Sequence, residues 1–281
     1  MGSLRFLWDV IQKSALIFTV CTSFPRRETL LTFLKLKCTQ AVFSKILKRP
    51  ITSASIFGFR VHFFDFAMFL YLFEEVFLKQ EYYFVSDVPN PVIFDCGSNI
   101  GLALLYFKKL YPQSTIVAFE PDRTTYAVLQ DNVRLNNLTN VHAHNNALSG
   151  TEGTIEFYND PNQPGWPRMS IQKERMSGTS ETIESVTLSR FIDRKIDFVK
   201  MDIEGAEYAV IEELASRRKL NSVNEFVIEY HHHMNPDIDN LSAMLRVFED
   251  NGMGYQIAGT ATGFLKNCAP QDILIRAYGK R

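Results

Sequence analysis

The chain has 281 residues, 46% of them hydrophobic and 22% charged, and its 30 basic and 31 acidic side chains leave a net charge of -1. A sequence this apolar and balanced can bury a large core, which excludes disordered, collagen-like and coiled-coil classes, and it lacks the cationic surplus that wholesale nucleic-acid binding needs. Four scattered cysteines with no Cys-x-x-Cys pair argue against a disulfide framework or a structural zinc and fit a reducing, cytoplasmic setting.

The charge is uneven along the chain. The first 60 residues hold ten Lys/Arg against two acids, Asp9 and Glu28, while the other 221 hold 20 against 29. Residues 1–90 therefore read as a basic, helical, aromatic-rich extension, and 91–281 as the main domain. Leu4 to Val20 is interrupted by Arg5, Asp9 and Lys13, and Val61 to Leu78 by Asp65, Glu74 and Glu75. Neither reads as a signal peptide or a membrane span. Glu28 to Lys48 has helical spacing, with Leu30, Leu31, Leu34, Val42 and Ile46 set against Lys35, Lys45 and Lys48. That is a basic amphipathic helix, which either caps the core or makes a weak contact with an anionic membrane surface.

From Pro91 onward short apolar runs alternate with helical stretches. The pattern predicts strands at 92–94, 115–119, 141–145, 154–158, 196–201, 226–230, 255–258 and 273–277, and helices at 102–110, 124–135, 206–217 and 241–249. The Pro/Gly/Ser-rich stretch 159–180 reads as a surface loop. Such alternation predicts an α/β fold, a doubly wound, mostly parallel Rossmann-like sheet behind an N-terminal helical extension.

In such a sheet a ligand sits beyond the carboxyl ends of the strands. There lies Asp95-Cys96-Gly97-Ser98-Asn99-Ile100-Gly101, whose glycines permit a sharp turn and a close approach of backbone to ligand. The dinucleotide pattern Gly-x-Gly-x-x-Gly is not met, because Asn99 replaces the middle glycine and Asp95 would repel a pyrophosphate. Asp95 suits a cationic ligand instead, and Glu120, ending the next strand, is placed to bind ribose hydroxyls. A nucleoside with positive charge and no pyrophosphate describes S-adenosylmethionine. Further along come Lys200-Met201-Asp202-Ile203-Glu204-Gly205-Ala206-Glu207 and Glu229-Tyr230-His231, each at a strand's carboxyl end.

Together these motifs resemble the FkbM family of S-adenosylmethionine-dependent methyltransferases, over about residues 92–260. The family pattern of Asp-x-Gly-x-Asn-x-Gly, Glu-Pro, Asp-x-Glu-Gly-x-Glu and Glu-x-His is met in order by Asp95 to Gly101, Glu120-Pro121, Asp202 to Glu207 and Glu229 to His231. Ser98, where members typically carry Ala, and Ser189, where an Asp often follows Thr-Leu, depart from it. The resemblance implies that Asp95, Gly97, Asn99 and Gly101 surround the cofactor's methionine part, Glu120 its ribose, and Asn146 and Ala147 its adenine. It also implies a hydroxyl acceptor on a sugar, lipid or natural product, hence O-methylation.

On a strand, alternate side chains share a face, so Glu229 and His231 point the same way. Imidazole titrates near neutral pH, which makes His231 the candidate general base, with Glu229 orienting it. Asp202 and Glu204 would hold the acceptor or the cofactor's ammonium group. The competing readings are that Glu204 and Glu207 are first-turn acids of the next helix and that His231, His232 and His233 form a solvated strand end. His231, Glu229 and Asp202 are also potential metal ligands, but adjacent histidines lack the spacing of a preformed site, so no metal is assigned. Trp166, mounted between Pro164 and Pro167, and the aromatics Phe63, Phe64, Phe66, Phe69, Tyr71 and Phe73 are candidates for the acceptor side of the pocket. The rival functions are an NAD-type oxidoreductase and a non-catalytic membrane-surface or scaffold module. Homo-oligomerisation is left open.

Overall fold

The computed structural model describes residues 2–20, 23–43, 49–159, 179–232, 240–259 and 271–280. The chain forms two compact units, Met1–Val85 with Ile100–Pro112 and Val128–Thr139, and Ser86–Asn99 with Gln113–Ala127 and Asn140–Arg281.

The first unit holds α1 (Gly2–Thr19), α2 (Arg26–Gln40), the hairpin β1 (Ser53–Ile56) and β2 (Phe59–His62), and α3 (Phe66–Phe73), which runs on into a π-helical segment, Glu74–Lys79. The hairpin turns on Phe57 (φ 47°) and Gly58 (φ 89°), two left-handed residues of the kind a two-residue turn requires. Asp65 starts α3 by accepting the Met68 N–H at 2.9 Å, an ordinary N-cap. The core is aromatic: Phe24, Phe57, Phe73 and Phe77 stack ring against ring and Tyr106 meets Phe24 and Phe77 edge-on, at centroid distances of 5.0–6.2 Å.

Two expectations change here. The inner face of α2 is Thr29, Phe33, Leu36 and Lys37, while Leu31 is 66% exposed. Phe33 is the bulkiest apolar side chain on the helix and sets its inner face, so the Leu30/Leu31/Leu34 stripe is not the packed one. The helix ends at Gln40, and Lys45, Ile46 and Lys48 lie outside the described residues. Of the aromatics expected at the acceptor, Phe63, Phe66, Phe69 and Phe73 are buried and pack on one another, which accounts for them as core.

The second unit is built on β3 (Val92–Cys96). After α4 (Leu102–Leu110) come β4 (Thr115–Phe119), α5 (Arg123–Leu135), β5 (Val141–His144), β6 (Ala147–Leu148), β7 (Gly153–Asn159), β8 (Thr179–Val186), β9 (Ile196–Met201), α6 (Glu207–Ser216), β10 (Val223–His232), α7 (Leu241–Asp250), β11 (Met253–Gly259) and β12 (Gln271–Gly279). α4 and the end of α5 belong to the first unit.

The main sheet has the order β11-β12-β10-β9-β3-β4-β5. β12 alone runs opposite to the other six strands, so the sheet is the mostly parallel α/β sheet expected. Its core packs Val199, Met201, Phe226, Ile228 and Ile275 against Val210, Ile211 and Leu214 of α6 and Met244 and Phe248 of α7.

β6, β8 and β7 form a separate three-stranded sheet. β8 was not anticipated: Thr-Ser-Glu-Thr-Ile-Glu-Ser-Val offers only two apolar residues and no run to mark a strand. Residues 160–178, with Trp166, lie outside the described residues.

Candidate active site

Strand order reverses between β3 and β9, so the chain leaves their carboxyl ends toward opposite sides of the sheet, the place where folds of this kind bind a ligand in a crevice. The loop after β3 places a left-handed residue at every second position: Gly97 (φ 80°), Asn99 (φ 49°) and Gly101 (φ 88°). Asparagine tolerates that region better than other side chains, which accounts for the missing middle glycine. At position 97 even a methyl group is excluded, since a Cβ would lie 1.8 Å from the Asp202 carbonyl oxygen. Gly97 and Ser98 both donate backbone N–H to the Phe119 carbonyl, at 3.0 and 2.8 Å. The Ser98 hydroxyl donates to the Asp95 carbonyl at 2.8 Å, so this departure from the family pattern closes the loop on itself.

Glu120 ends β4 and is 5% exposed. One carboxylate oxygen accepts the Asn99 N–H at 2.8 Å and the other the Asp122 N–H at 3.0 Å. Asp122 caps α5 by accepting from Thr125 N–H at 2.7 Å, which leaves Glu120 to the crevice. Asn145 fixes the turn by donating to the Glu120 and Pro121 carbonyls. Next in the chain, Asn146 is half-buried, and Ala147 is buried beside Phe157 and Ile183. Burial pushes the Glu120 carboxyl up to about 8, the two backbone donors offsetting only part of it.

A testable consequence follows from the sign of that shift. Because the folded value exceeds the ordinary 4.5, the native state binds more protons than the unfolded one between about pH 4.5 and 8, and stability falls as pH rises through that window. In urea unfolding of the ligand-free protein, Glu120→Gln should therefore lose less stability between pH 5 and 8 than the unmodified chain. An identical decline in both would show that Glu120 is ionised in the fold.

A line of charges runs from this loop to the end of β10. Asp95 is fully buried, and neither carboxylate oxygen accepts a hydrogen bond among the described residues. Its nearest cation is Lys200 on β9, 3% exposed, whose Nζ lies 3.7 Å from Asp95 and 3.5 Å from Asp202. Lys200 also donates to the Gly97 carbonyl at 2.6 Å. Burial alone would lower the Lys200 ammonium, but Asp202 and Asp95 outweigh it and hold it above its ordinary value. Burial raises Asp95, with Lys200 opposing.

Asp202 continues the line to His231, its carboxylate 3.7 Å from Nε2. Glu204 lies closer to the same nitrogen, at 3.2 Å, while Nδ1 is hydrogen-bonded to Glu207 at 2.9 Å. His231 pairs in register with Asp272 of β12, whose carboxylate is 4.0 Å from Nε2. Burial alone would lower the imidazole; Glu207 and Glu204, then Asp202, overcome it and hold the ring well above its usual 6.5. Glu229, next to this group, is pushed by burial to about 7, with Asp202 adding to the rise and His231 opposing it.

The structure thus gathers Asp95, Gly97, Asn99, Glu120, Asp202, Glu204, Glu229 and His231 at one edge of one sheet. The hydrogen bond that orients the imidazole, expected from Glu229, is made by Glu207. Glu207 is 1% exposed and also accepts the Gly205 N–H at 3.1 Å, stabilising a loop in which Glu204 (φ 57°) and Gly205 (φ 107°) are both left-handed. Lys200 and Glu207 both stood inside the quoted motif, where nothing local separates them from surface charges. Asp202, Glu204 and His231 place three donor atoms within 4.8 Å of one another, as do Glu229, His231 and Asp272, a set that a divalent cation would also accept.

The Methyltransferase FkbM domain model matches residues 95–257, more than half of the chain. Methyltransferase sdnD of Sordaria araneosa is 33% identical over 175 residues, 50% of this chain and 67% of that protein. The 2-O-methyltransferase NoeI of Sinorhizobium fredii (strain NBRC 101917 / NGR234) is 27% identical over 142 residues, 44% of this chain and 58% of that protein. The chain therefore spans about two thirds of the first relative and less of the second. Among solved structures, methyltransferase FkbM from Methylobacillus flagellatus KT aligns with a TM-score of 0.44 at 16% identity, over 87% of this chain and 60% of that one. With every motif from Asp95 to His231 inside the matched segment, the chain belongs to the FkbM methyltransferase family.

Proposed function

We propose that the protein is an S-adenosylmethionine-dependent O-methyltransferase acting on a hydroxyl of a sugar, lipid or natural product. Family membership supports methyl transfer, and the printed name of the 2-O-methyltransferase relative favours oxygen as the acceptor atom. The observation that carries the reading is the buried Glu207–His231 pair, joined by Asp202 and Lys200 to the glycine loop.

The residues present fit the cofactor. A carboxylate offers about four acceptor positions, and Glu120 uses one on each oxygen for Asn99 and Asp122, which leaves room for two ribose hydroxyls. The carboxylates of Asp95, Asp202, Glu204, Glu207, Glu229 and Asp272 outnumber the cations Lys200 and His231, so the crevice favours a cationic ligand and opposes the pyrophosphate of NAD. Gly97, Asn99 and Gly101 would hold the methionine part with Asp202, Glu120 the ribose, and Asn146 and Ala147 the adenine; Asp95, expected beside the methionine part, is fully buried next to Lys200 and would act on it through that charge rather than by contact. S-adenosylmethionine supplies an electrophilic sulfonium methyl group.

The protein's own part is to hold the acceptor hydroxyl in line and to take its proton. Nδ1 of His231 is committed to Glu207, so Nε2, facing Asp202 and Glu204, is the atom that would receive the proton. Trp166 remains a proposed acceptor contact by its sequence context alone.

Incubation with S-adenosylmethionine and hydroxylated acceptors should release S-adenosylhomocysteine and add one methyl mass to the acceptor. Above about pH 8, where the Glu120 carboxyl is ionised, Glu120→Ala should weaken cofactor binding in titration calorimetry by about 1.5–3 kcal/mol, the worth of hydrogen bonds to a charged group. Tight NAD binding instead, or unchanged cofactor affinity in the variant, would overturn the assignment.

A further inference from the structure

α1 turns Asp9 and Lys13 toward the first unit and carries an apolar stripe on its outer side, the reverse of a helix that faces water. Asp9 pairs with Lys13 at 3.0 Å and with Lys37 at 2.7 Å, and Lys13 pairs in turn with Glu74. These ion pairs and Ile17, which is fully buried, fix that side against the first unit. The opposite side presents Leu7, Trp8, Ile11 and Phe18, exposed by 56, 61, 51 and 51%, with Ala15 between them. On α2, Arg27, Leu31 and Lys35 follow one another at four-residue spacing, all exposed.

We propose that this surface docks on an anionic lipid bilayer, the α1 stripe entering the headgroup boundary and Arg26, Arg27 and Lys35 meeting lipid phosphates. Charge selects the occupant. Both acids among the first 60 residues are paired, Asp9 as above and Glu28 with Lys109 at 3.7 Å, whereas Arg26, Arg27 and Lys35 are exposed, so the unpaired surplus beside the stripe is positive. A second copy joined about a two-fold axis would set the same cations against themselves. Tryptophan and phenylalanine beside arginine and lysine are the side chains that interfacial helices use. Among the described residues no helix is long and apolar enough to cross a membrane, which makes this a surface contact. The surface lies on the first unit and does not depend on which acceptor is methylated.

The chain has two tryptophans, so Trp166→Phe in the full-length protein leaves Trp8 as the sole reporter. With phosphatidylcholine vesicles containing phosphatidylserine, Trp8 emission should shift to the blue and be quenched by brominated acyl chains; with phosphatidylcholine alone it should change little. Ile11→Lys with Phe18→Lys should abolish the quenching, and Arg27→Glu with Lys35→Glu should weaken vesicle binding by about tenfold or more, with circular dichroism unchanged in each. No quenching on either vesicle, or equal quenching on both, would overturn the proposal. So would self-association in sedimentation equilibrium that Ile11→Lys abolishes, which would make the stripe a protein–protein interface.

Discussion

Lys200→Met is expected to lower folding stability by about 3–5 kcal/mol, the usual cost of removing one partner from a buried ion pair. Lys200 and Asp95 are 3% and 0% exposed on the side chain, so the remaining carboxylate cannot recover hydration. Asp95 accepts no hydrogen bond among the described residues that could replace the lost cation. The variant also loses the bond to the Gly97 carbonyl, one of the contacts shaping the glycine loop, so cofactor affinity should fall with stability. The double variant Lys200→Met/Asp95→Asn separates the two causes. Neutralising Asp95 should restore much of the stability, because no uncompensated charge is then buried, while the loop contact stays missing. Urea unfolding of the four proteins forms a double-mutant cycle. A cost below about 1 kcal/mol for Lys200→Met, typical of exposed pairs, would show that Asp95 is protonated in the fold and that Lys200 does not compensate it.

How far the site was legible in the sequence depended on whether a residue's role is set by backbone conformation or by burial. Gly97, Asn99 and Gly101 were readable because left-handed positions restrict residue type, and Glu120 because it ends a short apolar run. Lys200 and Glu207 were not, although both were quoted with the motif. A lysine and a first-turn glutamate look the same in sequence whether solvated or buried, and only the sheet order, with β9 between β3 and β10, places them between Asp95 and His231. α1 shows the same limit. Its spacing announces two faces, but Lys37 and Glu74, 28 and 61 residues away from their partners, decide that the charged face turns inward. β8 had no local signal at all, since its strand character comes from pairing with β7 from Gly153↔Ser185 to Asn159↔Thr179.

His231→Ala should lower kcat by about 100-fold or more, the range for loss of a general base, with cofactor affinity nearly unchanged. The neighbouring His232→Ala should cost far less, since successive strand residues face opposite sides. A fall in rate alone would not distinguish a base from a side chain that merely keeps the pocket in shape, so the pH profile is the deciding measurement. A base must start neutral, so the rate should fall as pH drops through the imidazole's pKa. That value is held well above 6.5, so the acid limb of the kcat/KM profile should lie above pH 6.5. Burial pulls the value down and the carboxylates push it up, with Glu207 the largest of them. Glu207→Gln keeps the side chain's length and an oxygen for the Gly205 N–H but removes the charge, so the limb should move to lower pH. His231→Ala should lack the limb altogether. A limb that persists unchanged in His231→Ala, or that stays in place in Glu207→Gln, would assign the titration to another group and end the base assignment. If chelators abolish activity and a divalent ion restores it, Asp202, Glu204 and His231 act as ligands, and the proton must leave by another route.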